Sequence, residues 1–448
     1  MTEIAAPLLS KEKQTGCNRP LRVWLVQIGE PSPTDPDKPK LMRTAILAEM
    51  MATRGHEVVL WNTTVNHATK SQRAAATTIR SVRPNYQVVL LYGCLYRHNV
   101  SIARVVSQIQ YAREFRALAP KLAKPDVILC GYPSVELAYE ATAFAARNAI
   151  PIAIDFRDKW PDVIEEHIPA WGRPLAAPIL MYWRRRQRWT VEHATGIVGI
   201  TEPFVDWALA CANRPRGADD RAFHLAIDPA RPSSQDLREA ERFWDAQGIT
   251  DSGDKVVACF PGTLSRRHDF QAILDGLQSL SETEKARLAI VVCGRGDLEA
   301  ELCRVANSEP ALLVAGWRSS AELAVLMRRA HVGILPYKSA EDFVISYPNK
   351  VGEYLSAGLP VLTGLSGLVR ELLRERRIGV LYEEGSSQSV AQCLRALLAN
   401  PAALQAMRAP ARKTFEELFD PAVIYPAFCD YIEKLSTRSL ATSAVAAA

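Results

Sequence analysis

The feature that most constrains this chain is the recurrence of short β-branched runs separated by stretches of helical length. LRVWLVQIG (21–29), EVVLWNT (57–63), YQVVLLYG (86–93), PDVILCG (125–131), PIAIDF (151–156) and TGIVGIT (195–201) read as buried strands. Segments between them, such as 41–55 and 134–149, carry apolar residues at helical spacing. A βαβ succession of this kind closes into a parallel sheet with helices on both faces. After a polar, proline-marked stretch at 228–254 a second series begins: KVVACFPG (255–262), LAIVVCG (288–294), ALLVAGW (311–317), VGILPY (332–337), PVLTG (360–364) and GVLYEE (379–384), with helical segments such as 272–280 and 321–330 between. The expected fold class is α/β, two tandem doubly wound domains facing a cleft at the carboxyl ends of their strands, where open α/β sheets bind ligands.

The expected organisation is a flexible N-terminus (1–19), a first domain (20–228), a linker (229–254), a second domain (255–415), C-terminal helices crossing back (416–438) and a frayed tail (439–448). With 448 residues, 48% of them hydrophobic and 23% charged, the chain has the apolar surface for two or three cores, which excludes disordered, collagen-like and disulfide-scaffold classes. Nine cysteines, an odd number without a CxxC pair, read as reduced thiols packed as small hydrophobes. With no secretory signal and no long apolar run, the expected compartment is the cytoplasm. Residues 1–225 hold 29 Lys+Arg against 21 Asp+Glu, and the remainder 25 against 28. A basic half suggests an anionic partner, or else uneven sampling of two solvated surfaces.

Gly294-Arg295-Gly296 follows a strand and resembles the start of a dinucleotide fingerprint, but position 299 is Glu and a tight turn explains the pair equally well. A phosphate-binding GxxxxGK[ST] loop is missing. Asp35-Pro36-Asp37 lies in a proline-rich run and reads as a solvated loop rather than a metal site. The eight histidines show no ligand spacing, so neither metal nor cofactor is expected.

The segment SYPNKVGEYLSAGLP (346–360) carries more. Pro348 suits the first position of a helix, Lys350 and Glu353 fall one turn apart on one face, and Gly358 ends it. A helix N-terminus with a lysine beside it suits a diphosphate, and a carboxylate one turn in can accept from ribose hydroxyls. A capped surface helix with an ion pair is the alternative.

With RTAILAEMMATRGHEVVLW, IDFRDKWPD, HATGIVGITEPF, FPGTLSRRHDF, VVCGRGDLEAEL and PNKVGEYLSAGLPVL in this order, roughly residues 20–435 resemble the family 4 glycosyltransferases. These are retaining enzymes with two facing Rossmann-like domains, the glycosyltransferase-B fold, and the last motif resembles the subgroup that builds bacterial surface polysaccharides. The resemblance implies a nucleotide-sugar substrate, UDP- or GDP-linked, bound by the second domain through Gly262, Arg267 with Arg266 as neighbour, Gly294, Trp317, Lys350 and Glu353. Gly29, closing the first strand, reads as a close-approach glycine at the cleft or as an ordinary turn; where the family often carries a histidine near the reacting sugar this sequence departs with Asp155-Phe156-Arg157-Asp158, and Asp158, with Asp155 second, could steer the acceptor hydroxyl and take its proton, while Arg267 and Lys350 would assist departure of the diphosphate. The family's first acidic residue would fall at Ile345, a departure from the pattern. An Asp–Arg ion pair that only shapes the loop is the alternative for Asp155 and Asp158. The implied acceptor is a glycan or lipid-linked sugar. A sugar-nucleotide 2-epimerase or a non-catalytic transferase-like scaffold remain open.

The run 182–189, YWRRRQRW, interleaves aromatics with four arginines, so its Trp183–Trp189 portion is a candidate for peripheral contact with an anionic cytoplasmic membrane surface, against a solvated face. Without a recognised reading module, nucleic acid is not an expected partner.

Overall fold

In the computed structural model, which describes residues 19–98, 101–166, 168–251 and 255–438, the first series of runs forms one eight-stranded sheet. Its order is Arg221–Ala222, Gly196–Gly199, Ile152–Phe156, Val127–Tyr132, Arg22–Val26, Glu57–Thr63, Tyr86–Leu91 and Thr78–Arg83. All neighbours are parallel except the last pair. The second series forms a six-stranded parallel sheet ordered Leu312–Gly316, Leu288–Cys293, Val256–Pro261, Val332–Leu335, Val361–Thr363 and Gly379–Leu381. The expected α/β architecture of two doubly wound lobes is therefore present.

Alternation along each central strand builds two cores per lobe, because successive side chains leave opposite faces of the pleat. Trp24 and Val26 point to one side, where Trp24 meets Trp61 at 4.9 Å and Phe144 at 5.2 Å between ring centroids. Val23 and Leu25 point to the other, against the helix Arg43–Thr53. Each such buried aliphatic side chain contributes about 1.5–3 kcal/mol. Helices begin where a hydroxyl can satisfy an orphan N–H: Ser134 caps Val135–Arg147, Thr201 caps Glu202–Ala210, and Ser319 with Glu322 forms a capping box at Ser320–Arg329.

Several elements differ from expectation. The edge strand Thr78–Arg83 was not foreseen because TIRSVR is half polar, as suits an exposed sheet edge. The stretch read as a linker contains the helix Ser234–Ala246, opened by a Ser233–Asp236 capping box and fastened to the second lobe by buried Trp244, whose Nε1 donates to the Glu322 carbonyl at 2.7 Å. The Asp35 loop is solvated at Pro36, Asp37 and Lys38 as expected, but Asp35 itself is buried and accepts from Arg73 at 2.7 and 2.8 Å and from the Ser32 N–H at 2.9 Å, so its oxygens are engaged by protein. The last helix, Pro421–Leu435, returns to the first lobe, where Phe428 stacks on Phe223 at 4.2 Å and Arg54 bonds Asp430 and Glu433 at 2.6 and 2.9 Å. The terminal stretches 1–18 and 439–448 lie outside the described residues.

The Trp183–Trp189 portion does not present its aromatics outward. It lies in the helix Arg173–His193, whose inner face carries Leu180, Trp183 and Gln187. Trp183 donates to Glu136 at 3.1 Å, Arg186 pairs with the same carboxylate at 2.8 Å, Arg184 pairs with Glu165, and Trp189 stacks on His193 at 4.0 Å. Helical periodicity turned these tryptophans toward the core. Among the described residues no helix is long and apolar enough to cross a membrane.

Candidate functional site

The carboxyl ends of both sheets face each other across two adjoining cavities of about 1010 and 540 Å³. Arg157, Leu225, Asn349, Lys350 and Glu353 line both, and so mark where they meet.

From the second lobe, Gly262 follows the strand Val256–Pro261 and lines the smaller cavity. A Cβ there would stand 3.1 Å from Lys350 Cε, so a bare backbone lets the lysine lie against this turn. Gly294 does not line either cavity; it backs Gly262, at φ +144°, and a Cβ on it would meet the Gly262 carbonyl oxygen at 1.8 Å. The two glycines thus serve as turn and support. The helix Asn349–Ser356 starts one residue later than expected, with Pro348 as its cap residue, and Lys350 and Glu353 form an ion pair on its cleft face. Arg267 lines the smaller cavity, bonds both oxygens of Asp342 at 2.8 and 2.7 Å and lies 4.1 Å over the Phe343 ring. Arg266 and Trp317 are exposed and line neither cavity.

From the first lobe, Gly29 lines the larger cavity at φ +80°. Its nearest neighbour to an added Cβ would be His67 at 4.0 Å, so it is backbone conformation rather than space that favours glycine. Asp158 lines the smaller cavity and accepts from the Lys159 N–H at 2.8 Å; burial, and after it nearby Asp342, outweighs that bond and raises its pKa. Asp155 departs from the expectation that it faces the acceptor. It is fully buried at the end of Ile152–Phe156, held by Arg43 at 3.2 Å and Arg157 at 2.7 Å, and lines neither cavity. With a guanidinium on each side, it has no path to a substrate proton.

What sequence reading missed is the set that Asp155 organises. Arg157 reaches Asp155 through Nε, Thr44 Oγ1 at 2.7 Å and Glu30, while Glu30 also accepts from Thr44 Oγ1 at 3.0 Å. Flanking carboxylates keep Arg157 charged, raising its pKa despite burial. The available signal was Glu30 directly after Gly29 and Arg43-Thr44 opening the next helix, residues distant in sequence and joined only by the fold. Also missed were Lys159, which pairs across the lobes with Glu341, and His268, whose pKa burial and then Arg267 and Lys338 press down to about 4, leaving it neutral. No three His, Cys, Asp or Glu side chains gather as metal ligands among the described residues.

Residues 255–400 match the family model described as glycosyl transferases group 1. The amylovoran biosynthesis glycosyltransferase AmsK of Erwinia amylovora is 27% identical over 149 residues, 32% of this chain and 37% of that relative, so the chain matches less than two-fifths of its length. Sucrose-phosphate synthase of Thermosynechococcus elongatus shares the fold with a TM-score of 0.66 at 14% identity, over 93% of this chain and 99% of that one. HepE of Anabaena, solved in complex with UDP-glucose, gives 0.59 at 12% identity over 92% and 100%. The chain therefore has the glycosyltransferase-B fold, and its residues 255–400 match the glycosyl transferases group 1 family model.

Proposed function

We propose that this protein is a retaining glycosyltransferase that moves a sugar from a nucleoside-diphosphate donor to a hydroxyl of a glycan or lipid-linked acceptor in the building of a surface polysaccharide. One observation carries the reading: Gly262, Arg267, Lys350 and Glu353 of one lobe share a cavity with Asp158 of the other. Similarity to AmsK, a polysaccharide-biosynthesis enzyme by its description, and to HepE, which holds UDP-glucose, supports it.

In this reading the diphosphate lies over the bare turn at Gly262, against Lys350 and the first N–H groups of Asn349–Ser356, and Glu353 accepts from the ribose. As the glycosidic bond lengthens, negative charge collects on the leaving diphosphate. Lys350 and Arg267 stabilise that charge more than the ground state, which is where catalysis arises. Arg267 exchanges Asp342 for phosphate as the donor enters. Asp158 accepts the proton of the attacking hydroxyl, a task to which its raised pKa is suited. Attack occurs on the face the diphosphate leaves, so no side chain forms a covalent bond to the sugar.

Isothermal titration with UDP and GDP tests the donor site. The expected result is binding by the wild type that weakens in both Lys350→Ala and Glu353→Ala; unchanged affinity in both variants would remove the assignment. Product analysis by NMR with donor and acceptor then reads transfer and anomeric configuration.

A further inference from the structure

The larger cavity has a first-lobe end that the donor does not use. The short antiparallel strands Val65–Asn66 and Ser71–Gln72 are joined by a turn that carries His67 and Lys70, and the helix Ile102–Leu118 supplies Arg104 and Gln108. His67, Tyr96, Arg104 and Gln108 line the cavity. His67 Nδ1 lies 2.7 Å from the Tyr96 hydroxyl and 3.4 Å from Lys70 Nζ, which stands 5.1 Å from the centre of the Tyr96 ring. An ammonium can only donate, so Nδ1 accepts and the ring proton stands on Nε2. Burial lowers the His67 pKa to about 4, and the two charges that add to this, Lys70 and Arg104, are both positive. Lys70 is pressed down in its turn, by burial and then by Arg104.

These groups share a demand for negative charge. Gln108 is 4% exposed and its Nε2 has no hydrogen-bond partner among the described residues, a buried donor that costs stability until something accepts from it. The carboxylates lining the same cavity are committed elsewhere: Glu30 pairs with Arg157, Asp228 with Lys40 and Glu353 with Lys350. Two cations acting on one another in a partly closed cavity attract an anion, and the guanidinium fork of Arg104 fits the oxygens of a phosphate or a carboxylate. The basic excess of residues 1–225, 29 against 21, points the same way. Arg104 also lies 5.3 Å from the ring of Trp160, two residues past Asp158. Burial dominates the raised Asp158 pKa, but Arg104 is among the charges that pull it back, so the cluster stands near the group that takes the acceptor's proton.

We propose that His67, Lys70, Arg104 and Gln108 bind an anionic group, phosphate or carboxylate, on the acceptor sugar, so that the acceptor is a charged glycan rather than a neutral one. The proposal rests on the transferase reading, in which the donor diphosphate occupies the smaller cavity and leaves the first-lobe end of the larger one to the acceptor. The charged group is held at this cluster while a hydroxyl of the same molecule reaches Asp158.

Isothermal titration of the full chain tests it, first with UDP and GDP and then, with the tighter nucleotide saturating, with glucose, glucose 6-phosphate and glucuronate. At least one of the two anionic sugars is expected to bind about tenfold tighter than glucose, and the tighter of them tells phosphate from carboxylate. Lys70→Gln and Arg104→Gln should each abolish that preference while nucleotide affinity stays at the wild-type value; circular dichroism checks that both fold. Equal affinity for all three sugars, no binding of either anionic sugar, or a preference that survives in both variants would overturn the proposal. So would nucleotide affinity that falls in both variants, which would assign the cluster to the donor. The two readings fail separately: a wild type that binds nucleotide but shows no preference loses only the charged acceptor, whereas one that binds no nucleotide loses the donor site.

Discussion

Asp155→Ala separates a structural from a chemical role for the carboxylate that sequence reading placed near the acceptor. The side chain is fully buried and held by Arg43, itself 3% exposed, and by Arg157. Its removal leaves two buried guanidinium groups, Arg157 with Glu30 and Arg43 with the Phe223 and His224 carbonyls, and breaking a buried ion pair from one side costs about 3–5 kcal/mol. The variant should lose that much stability in the first lobe. Urea unfolding followed by tryptophan fluorescence reads it, because Trp24 and Trp61 lie in that lobe's core. Asp155→Asn, which keeps the shape and one acceptor oxygen, should lose less. Nucleotide affinity should stay near the wild-type value, since Gly262, Lys350 and Glu353 belong to the other lobe. A proton acceptor would behave in the opposite way, with stability barely changed and transfer abolished. A loss below about 1 kcal/mol would refute the argument, because it would mean that Arg43 and Arg157 do not depend on this charge.

Lys350→Ala should weaken nucleotide binding by about 10- to 100-fold in titration calorimetry, the equivalent of roughly 1.5–3 kcal/mol for a charge-assisted bond. Asp158→Asn should lower the transfer rate by about 10²- to 10⁴-fold with little change in nucleotide affinity. In the wild type the rate should rise as Asp158 deprotonates, so the acid limb of the pH–rate profile should lie above the ordinary aspartate range and vanish in the variant. The same raised pKa makes ionised Asp158 a cost to the fold: none below the unfolded value, accruing as pH climbs to the folded one, so Asp158→Asn should gain stability at neutral pH. Gly294→Ala should impair nucleotide binding without touching the ligand, because its Cβ would drive into the Gly262 carbonyl; unchanged affinity by calorimetry would count against this support.

The fold was legible because the strands are buried on both faces and therefore read as continuous apolar runs, as in VILCGY at Val127–Tyr132. Thr78–Arg83 was not legible for the converse reason, since an edge strand has no such run. Within the site, 346–360 was readable because its chemistry is local, a helix start with a lysine and a glutamate one turn apart. Asp155, by contrast, was misplaced. Alternation along PIAIDF decides which face a side chain takes, but not that Arg43, in another helix, closes over it. The Trp183–Trp189 run was legible only in part: composition showed arginine and tryptophan, while the side facing Glu136 was set by the packing of Arg173–His193 on Val135–Arg147.

One pattern links the site's cations. Arg267 is paired with Asp342, Lys350 with Glu353, and Lys159 with Glu341, so these three positive groups are already matched within the protein. Unmatched, these partly buried cations would repel one another and lower stability. Matched, they must trade a carboxylate for a phosphate oxygen, and affinity is the difference between two ion pairs rather than the whole of one. Asp342 gains from the trade in a particular way: freed of Arg267, it presents a fuller negative charge to Asp158, which it already disfavours in the ionised form. Donor entry would then raise the pKa of the group that takes the acceptor's proton. The acid limb of the pH–rate profile should accordingly stand at higher pH with saturating donor than in free enzyme. Asp342→Asn should remove that difference, and a limb that fails to move between the two conditions would show that Arg267 keeps its carboxylate partner throughout.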